Sequence, residues 1–200
     1  MFALICDLLA TATIAIFAQN LVFTGGYGLC ELLRAAAKPR RLILFCGLLT
    51  GFSIVSSAID FQISRLWGFS EMENRFRMLF FVAVIAGLYL LVVMFIFLLG
   101  RSHLQALWKT ASLAAFNSAV LAIPFFNYRL NSDDFKSALL VGFTGGIGFF
   151  VAALLVRTGL KRLQNPRIPA AFRGLPIAFI YIAILSLIFL GIRGTLLIEF

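Results

Sequence analysis

The sequence predicts an all-α polytopic membrane protein: six transmembrane helices in an inverted 3+3 repeat, with broken first and fourth helices. Three observations carry this reading. Hydrophobic residues make up 62% of the chain and charged residues 12%, with a mean hydropathy of +1.04, far from the composition of a soluble domain. Apolar runs of about 20 residues recur six times, each long enough to cross about 30 Å of hydrocarbon as a helix. Two of these runs are interrupted by polar residues with glycine or proline close by.

The first run, Phe2 to Phe23, carries Gln19-Asn20 and leads into Gly25, Gly26 and Gly28-Leu29-Cys30. Lipid offers no partner to a freed backbone group, so a helix break at this depth must be buried in protein or line a cavity. The second and third runs, Leu42 to Phe61 and Met78 to Leu99, have no such break. The fourth, Leu107 to Phe126, contains Asn117-Ser118 and then Pro124. The fifth, Ser137 to Val156, clusters Gly142, Gly145, Gly146 and Gly148. No Lys-Ser or Lys-Thr follows them, so close helix packing is expected there rather than a phosphate loop. The sixth run is Leu175 to Ile192. Residues 1–200 therefore form one membrane domain, with repeat 1 at about 1–100 and repeat 2 at about 101–200. Nothing between the runs is long enough for a soluble catalytic domain, so soluble chemistry falls to partner subunits and the chain is not expected to be catalytic alone.

The net charge of +9 reflects topology rather than nucleic-acid binding. The connections after the first, third and fifth runs hold Arg34, Lys38, Arg40, Arg41, Arg101, Lys109, Arg157, Lys161, Arg162, Arg167 and Arg173 against one acid, Glu31. The other side is acidic or balanced, with Asp7, Asp60, Arg65, Glu71, Glu73, Arg75, Arg77, Arg129, Asp133, Asp134, Lys136, Arg193 and Glu199. The positive-inside rule makes the first side cytoplasmic, places both termini outside, and fits a prokaryotic cytoplasmic (inner) membrane. Ala10-Thr11-Ala12 has the look of a signal-peptide cleavage site, but Asp7 and the missing positive start favour a retained helix. Arg167 and Arg173 are expected to anchor the cytoplasmic surface or a partner, with anionic lipid headgroups as the other candidate. His103 reads as solvated, and Trp67 and Trp108 as interfacial belt residues.

Three spans per half invert the second half relative to the first, which brings the two breaks together near the midplane. Ala18-Gln19-Asn20-Leu21 is similar to Ala115-Phe116-Asn117-Ser118. Paired half-helices present free backbone groups to one point, an arrangement suited to an ion, a substrate or a metal cluster, with Asn20 and Asn117 beside it. Cys6 and Cys46 lie in apolar runs and read as small hydrophobes. The chain has three cysteines and no CxxC, too few for a complete four-thiolate site. On the residues alone, Cys30 reads as a buried thiol beside a glycine turn.

Several segments resemble one family, in order and over nearly the whole chain. They are Asn20 with Gly28-Leu29-Cys30, the run Ala115 to Leu121, Ser137-Ala138-Leu139 leading to Gly142-Phe143, and the stretch Pro169 to Ile177. Together they look like the RnfA/RnfE and NqrD/NqrE membrane subunits, closest to RnfA, with Pro169 to Ile177 the most specific match. The resemblance implies a subunit of an ion-translocating electron transport complex coupling ferredoxin and NAD redox chemistry to Na+ or H+ movement. It also implies an inverted homologous partner (RnfE/NqrD-like), other Rnf-type subunits, and a [2Fe-2S] cluster held by two cysteines from each of the paired subunits.

One family cysteine falls on Cys30, the metal ligand implied here; where the other is expected this chain has Ser118, and a serine alkoxide is a far rarer ligand than a thiolate. Two further departures are Glu31, where the family commonly has proline, and the absence of an acid from Met78 to Gly100, where the family often has one. An intramembrane carboxylate is usually kept for function, so its absence argues against this subunit relaying cations itself. Asp7 and Asp60, toward span ends, are expected to be solvated. The alternative function is a divergent non-redox transporter or scaffold subunit of the same fold, in which Asn20 and Asn117 contact a solute or ion.

Overall fold

Leu42, Phe45, Leu49, Phe52 and Ser56 recur at helical spacing and all lie buried, forming the inner face of the longest helix. The computed structural model describes residues 13, 16–17, 20–36, 39–67, 74–98, 104–129, 134–163 and 168–198. The helices are α1 (Leu21–Gly25), α2 (Leu29–Ala36), α3 (Pro39–Trp67), α4 (Asn74–Leu98), α5 (Leu104–Ala115), α6 (Ser118–Arg129), α7 (Phe135–Arg162) and α8 (Leu175–Ile198). A 3-10 turn, Ala170–Phe172, precedes α8. The described residues contain no strand.

Five stretches are long and apolar enough to cross a membrane: Leu42–Ile63, Leu79–Leu98, Trp108–Phe126, Phe135–Arg162 and Leu175–Gly194. They match the second to sixth expected spans within a few residues, except that α7 continues past Val156 to Arg162. The extension is possible because Arg157, Lys161 and Arg162 have long stems that carry their charges toward water. Most of the first expected span, with Cys6, Asp7 and Gln19, lies outside the described residues. So do Lys38, Glu71, Glu73, Arg101, His103, Asp133, Arg167 and Glu199.

The centre of the molecule is the α3–α7 pair. Small residues let these helices approach closely: a Cβ at Gly142 would lie 2.8 Å from the Ser53 carbonyl oxygen and 2.9 Å from the Ile54 Cα. At Gly146 it would meet the Thr50 side chain. The glycine cluster therefore serves helix packing, as its apolar surroundings indicate. Packing around this pair is reciprocal: α1 and α2 lie on α7, while α5 and α6 lie on α3.

Outside this centre, α1 touches α8, and α5 and α6 touch α4. The outer helices are α4 and α8, with 11% and 17% of their spanning windows buried against 44% for α3 and α7. Each is tied inward by a tyrosine. Trp108 Nε1 on α5 donates to the Tyr89 hydroxyl on α4 at 2.8 Å, and the Tyr181 hydroxyl on α8 donates to the Leu155 carbonyl of α7 at 3.3 Å.

The structure corrects the expectation for Asp60. It lies within the span Leu42–Ile63 and is 2% exposed. It closes a polar stripe on α3 made of Ser53, Ser56, Ser57 and Asp60, all buried, whose spacing puts them on one helix face. The Ser57 hydroxyl donates to the Ala138 carbonyl of α7, so this face is covered by a neighbouring helix and not by water.

Candidate functional site

The first interruption is built around Asn20, which is 1% exposed. Its Oδ1 accepts from the backbone N–H of Val22 at 3.1 Å and of Phe23 at 3.3 Å, capping α1. Its Nδ2 donates to the Gly148 carbonyl of α7 at 2.9 Å and to the Ile16 carbonyl at 3.1 Å. The break is thus held on both sides, and the side chain takes up backbone groups that hydrocarbon could not satisfy.

After α1 the chain turns through Gly26 and Gly28, at φ 69° and 74°, a left-handed conformation open to glycine at little cost. Gly28 has a second reason to be glycine, because a Cβ there would run into Asn117 Oδ1 and lie 2.7 Å from the Phe149 ring. Helix α2 starts at once, with the Leu32 N–H donating to the Gly28 carbonyl at 2.9 Å.

The second interruption repeats the capping. Asn117, also 1% exposed, accepts from the Ala119 N–H through Oδ1 at 2.9 Å at the start of α6. Its backbone carbonyl accepts from Val120 and Leu121 at 3.0 and 3.2 Å. Unlike Asn20, its Nδ2 is buried without a partner. Pro124 inside α6 removes one further helical donor.

The interruptions meet directly. The Gly28 N–H donates to the Ser118 Oγ at 2.7 Å. Asn20, Asn117 and Ser118 therefore belong to one constellation, and Cys30 follows Gly28 by two residues in the first turn of α2. Ser118 also borders a groove of about 490 Å³ walled by Tyr27, Phe81, Leu121, Phe125 and Phe126.

Cys30 departs from the buried thiol expected of the residues alone: it is exposed, whereas Cys46 is 4% exposed. Among the described residues no three His, Cys, Asp or Glu side chains come together as a metal-binding group. At the convergence this chain offers one thiol, open to a partner, and one hydroxyl whose oxygen already accepts a backbone N–H. That donor set fits a one-thiolate contribution to a shared cluster and does not fit a two-thiolate half.

Sequence reasoning missed the Gly148 carbonyl, the Gly28 N–H and the buried Phe149 as parts of this site. Backbone groups carry no residue signature. Phe149 stood among other apolar residues with nothing to single it out. The Ser53–Asp60 stripe did have a signal, an acid and three serines at helical spacing inside an apolar run.

Fold and site define a polytopic α-helical membrane protein organised around two capped interruptions. The chain belongs to the Rnf-Nqr family: the model for "Rnf-Nqr subunit, membrane protein" matches residues 8–196. It is 34% identical over 189 residues, 94% of each chain, to the RnfA subunit of the ion-translocating oxidoreductase complex of Aromatoleum aromaticum. It is 29% identical over 184 residues to the protein of the same name from Citrobacter koseri, covering 90% of this chain and 92% of the relative. It is 27% identical over 180 residues to the corresponding subunit of the Na(+)-translocating ferredoxin:NAD(+) oxidoreductase complex of Acetobacterium woodii, covering 90% of this chain and 93% of the relative.

Proposed function

We propose that the protein is the RnfA-type membrane subunit of an Rnf-type complex that couples ferredoxin and NAD redox chemistry to Na+ or H+ translocation. The observation carrying this reading is the Gly28–Ser118 contact, which joins the two interruptions into a single central site. The names of the relatives, each belonging to a multi-subunit complex, support a role within an assembly.

The architecture we assign is a six-span inverted 3+3 repeat within one domain of two halves. The reciprocal packing about α3 and α7 supports it, as does the matching use of Asn20 and Asn117 as caps. The charge distribution supports a cytoplasmic-membrane protein with both termini outside. An inverted RnfE/NqrD-like homologue is the partner we assign to the exposed side of Cys30. There Cys30 is the single ligand this chain would give to a shared [2Fe-2S] cluster, which would supply one-electron redox chemistry. Asn20 and Asn117 hold the two backbone breaks around that point.

Ser118 favours a second reading. Its oxygen is engaged by Gly28, as expected if the protein keeps the fold as a transporter or scaffold without redox chemistry. Iron and acid-labile sulfide in the purified complex, with electron paramagnetic resonance before and after Cys30→Ser, separate the two. A cluster signal altered by Cys30→Ser supports the first reading. A fully assembled complex without iron at this position supports the second.

A further inference from the structure

We propose that a groove between α2, the end of α7 and the start of α8 binds the phosphodiester headgroup of an anionic phospholipid. The groove has a volume of about 630 Å³. That lies within the range of built ligand sites and exceeds what a bare phosphate fills. Leu33 and Ala36 line it from α2, Leu160 from α7 and Leu175 from α8, an apolar wall suited to acyl chain and glycerol. Arg157 and Lys161 also line it, one turn apart on the same face of α7.

Neither cation meets a carboxylate among the described residues. The nearby acid on α2, Glu31, is paired with Arg34 at 3.6 Å. Two uncompensated cations above an apolar slot call for an anion carried on a hydrocarbon body. The depth agrees. Arg157 and Lys161 stand at the end of the span Phe135–Arg162, and Leu175 opens the span Leu175–Gly194, so the groove straddles a membrane boundary. An orientation with both termini outside puts that boundary in the cytoplasmic leaflet, where anionic headgroups attract basic side chains. Through Leu33 and Ala36, a bound lipid would also brace α2, the helix that carries Cys30.

The test is native mass spectrometry of the purified complex after exposure to phosphatidylglycerol, phosphatidylcholine or inorganic phosphate. Phosphatidylglycerol is expected to be retained in preference to phosphatidylcholine. The Arg157→Gln/Lys161→Gln variant should weaken that retention roughly thirtyfold, about fivefold per cation, while Arg34→Gln leaves it unchanged. Equal retention of both lipids by the unaltered protein overturns the proposal and needs no variant to be read. Retention unchanged in the double variant overturns it as well. Displacement of the lipid by millimolar inorganic phosphate would make the site one for a free anion, and sinks the lipid assignment.

Discussion

The Gly28 backbone N–H and the Ser118 hydroxyl are 90 residues apart in sequence and 2.7 Å apart in space. Each belongs to a helix interruption that is unstable alone in lipid, so every group freed by one break has to be met by its own caps or by the other break.

Removing the acceptor and blocking the donor should therefore differ in size. Ser118→Ala leaves one partly buried N–H without its partner, a loss of about 1–2 kcal/mol. Gly28→Ala adds a Cβ at positive φ and pushes it into Asn117 and the Phe149 ring, for about 2–4 kcal/mol. Thermal unfolding in detergent, followed by circular dichroism, should rank Gly28→Ala as the more damaging change. The reverse order would show that the two breaks do not meet as described.

The two capping asparagines predict an asymmetry. Asn20 uses both ends of its amide, whereas Asn117 uses only Oδ1. Asn20→Ala should cost about 2–3 kcal/mol and Asn117→Ala about 1 kcal/mol by the same assay. Equal losses would remove the distinction.

Contact between α3 and α7 leaves no room at Gly142 but ample room at Gly47, which has nothing within 4 Å of an added Cβ. Gly142→Ala should destabilise by about 1–3 kcal/mol through forced separation of the helices. Gly47→Ala should be neutral or slightly stabilising. A neutral result at Gly142 would contradict the observed approach.

Asp60 gives a chemical test of burial. A water-soluble carbodiimide with a nucleophilic amine should modify the exposed Asp134 and spare Asp60, read by peptide mass spectrometry. Labelling of both to the same extent would restore a solvated Asp60.

Much of the fold was legible because hydrocarbon punishes polarity so strongly that apolar runs mark the spans almost by themselves. The interruptions were legible for the same reason, since Asn20 and Asn117 stand out against their neighbours. What they bond to was not. Two of the partners, the Gly148 carbonyl and the Gly28 N–H, are backbone atoms that any residue could supply, and only the crossing of helices decides which are within reach. Asp60 was misjudged because distance from a span end was used as a measure of wetness. Its exposure is set instead by α7, which covers the serine face of α3 through Ala138 and Gly142.

The unequal bonding of the asparagines has a mechanical consequence. Asn20 rivets the first interruption to α7, while Asn117 keeps a spare donor and grips only its own helix. The molecule thus has a fixed jaw and a free one, latched where Ser118 catches Gly28. Any rocking that exposes the centre alternately to the two sides of the bilayer must begin by lifting that latch.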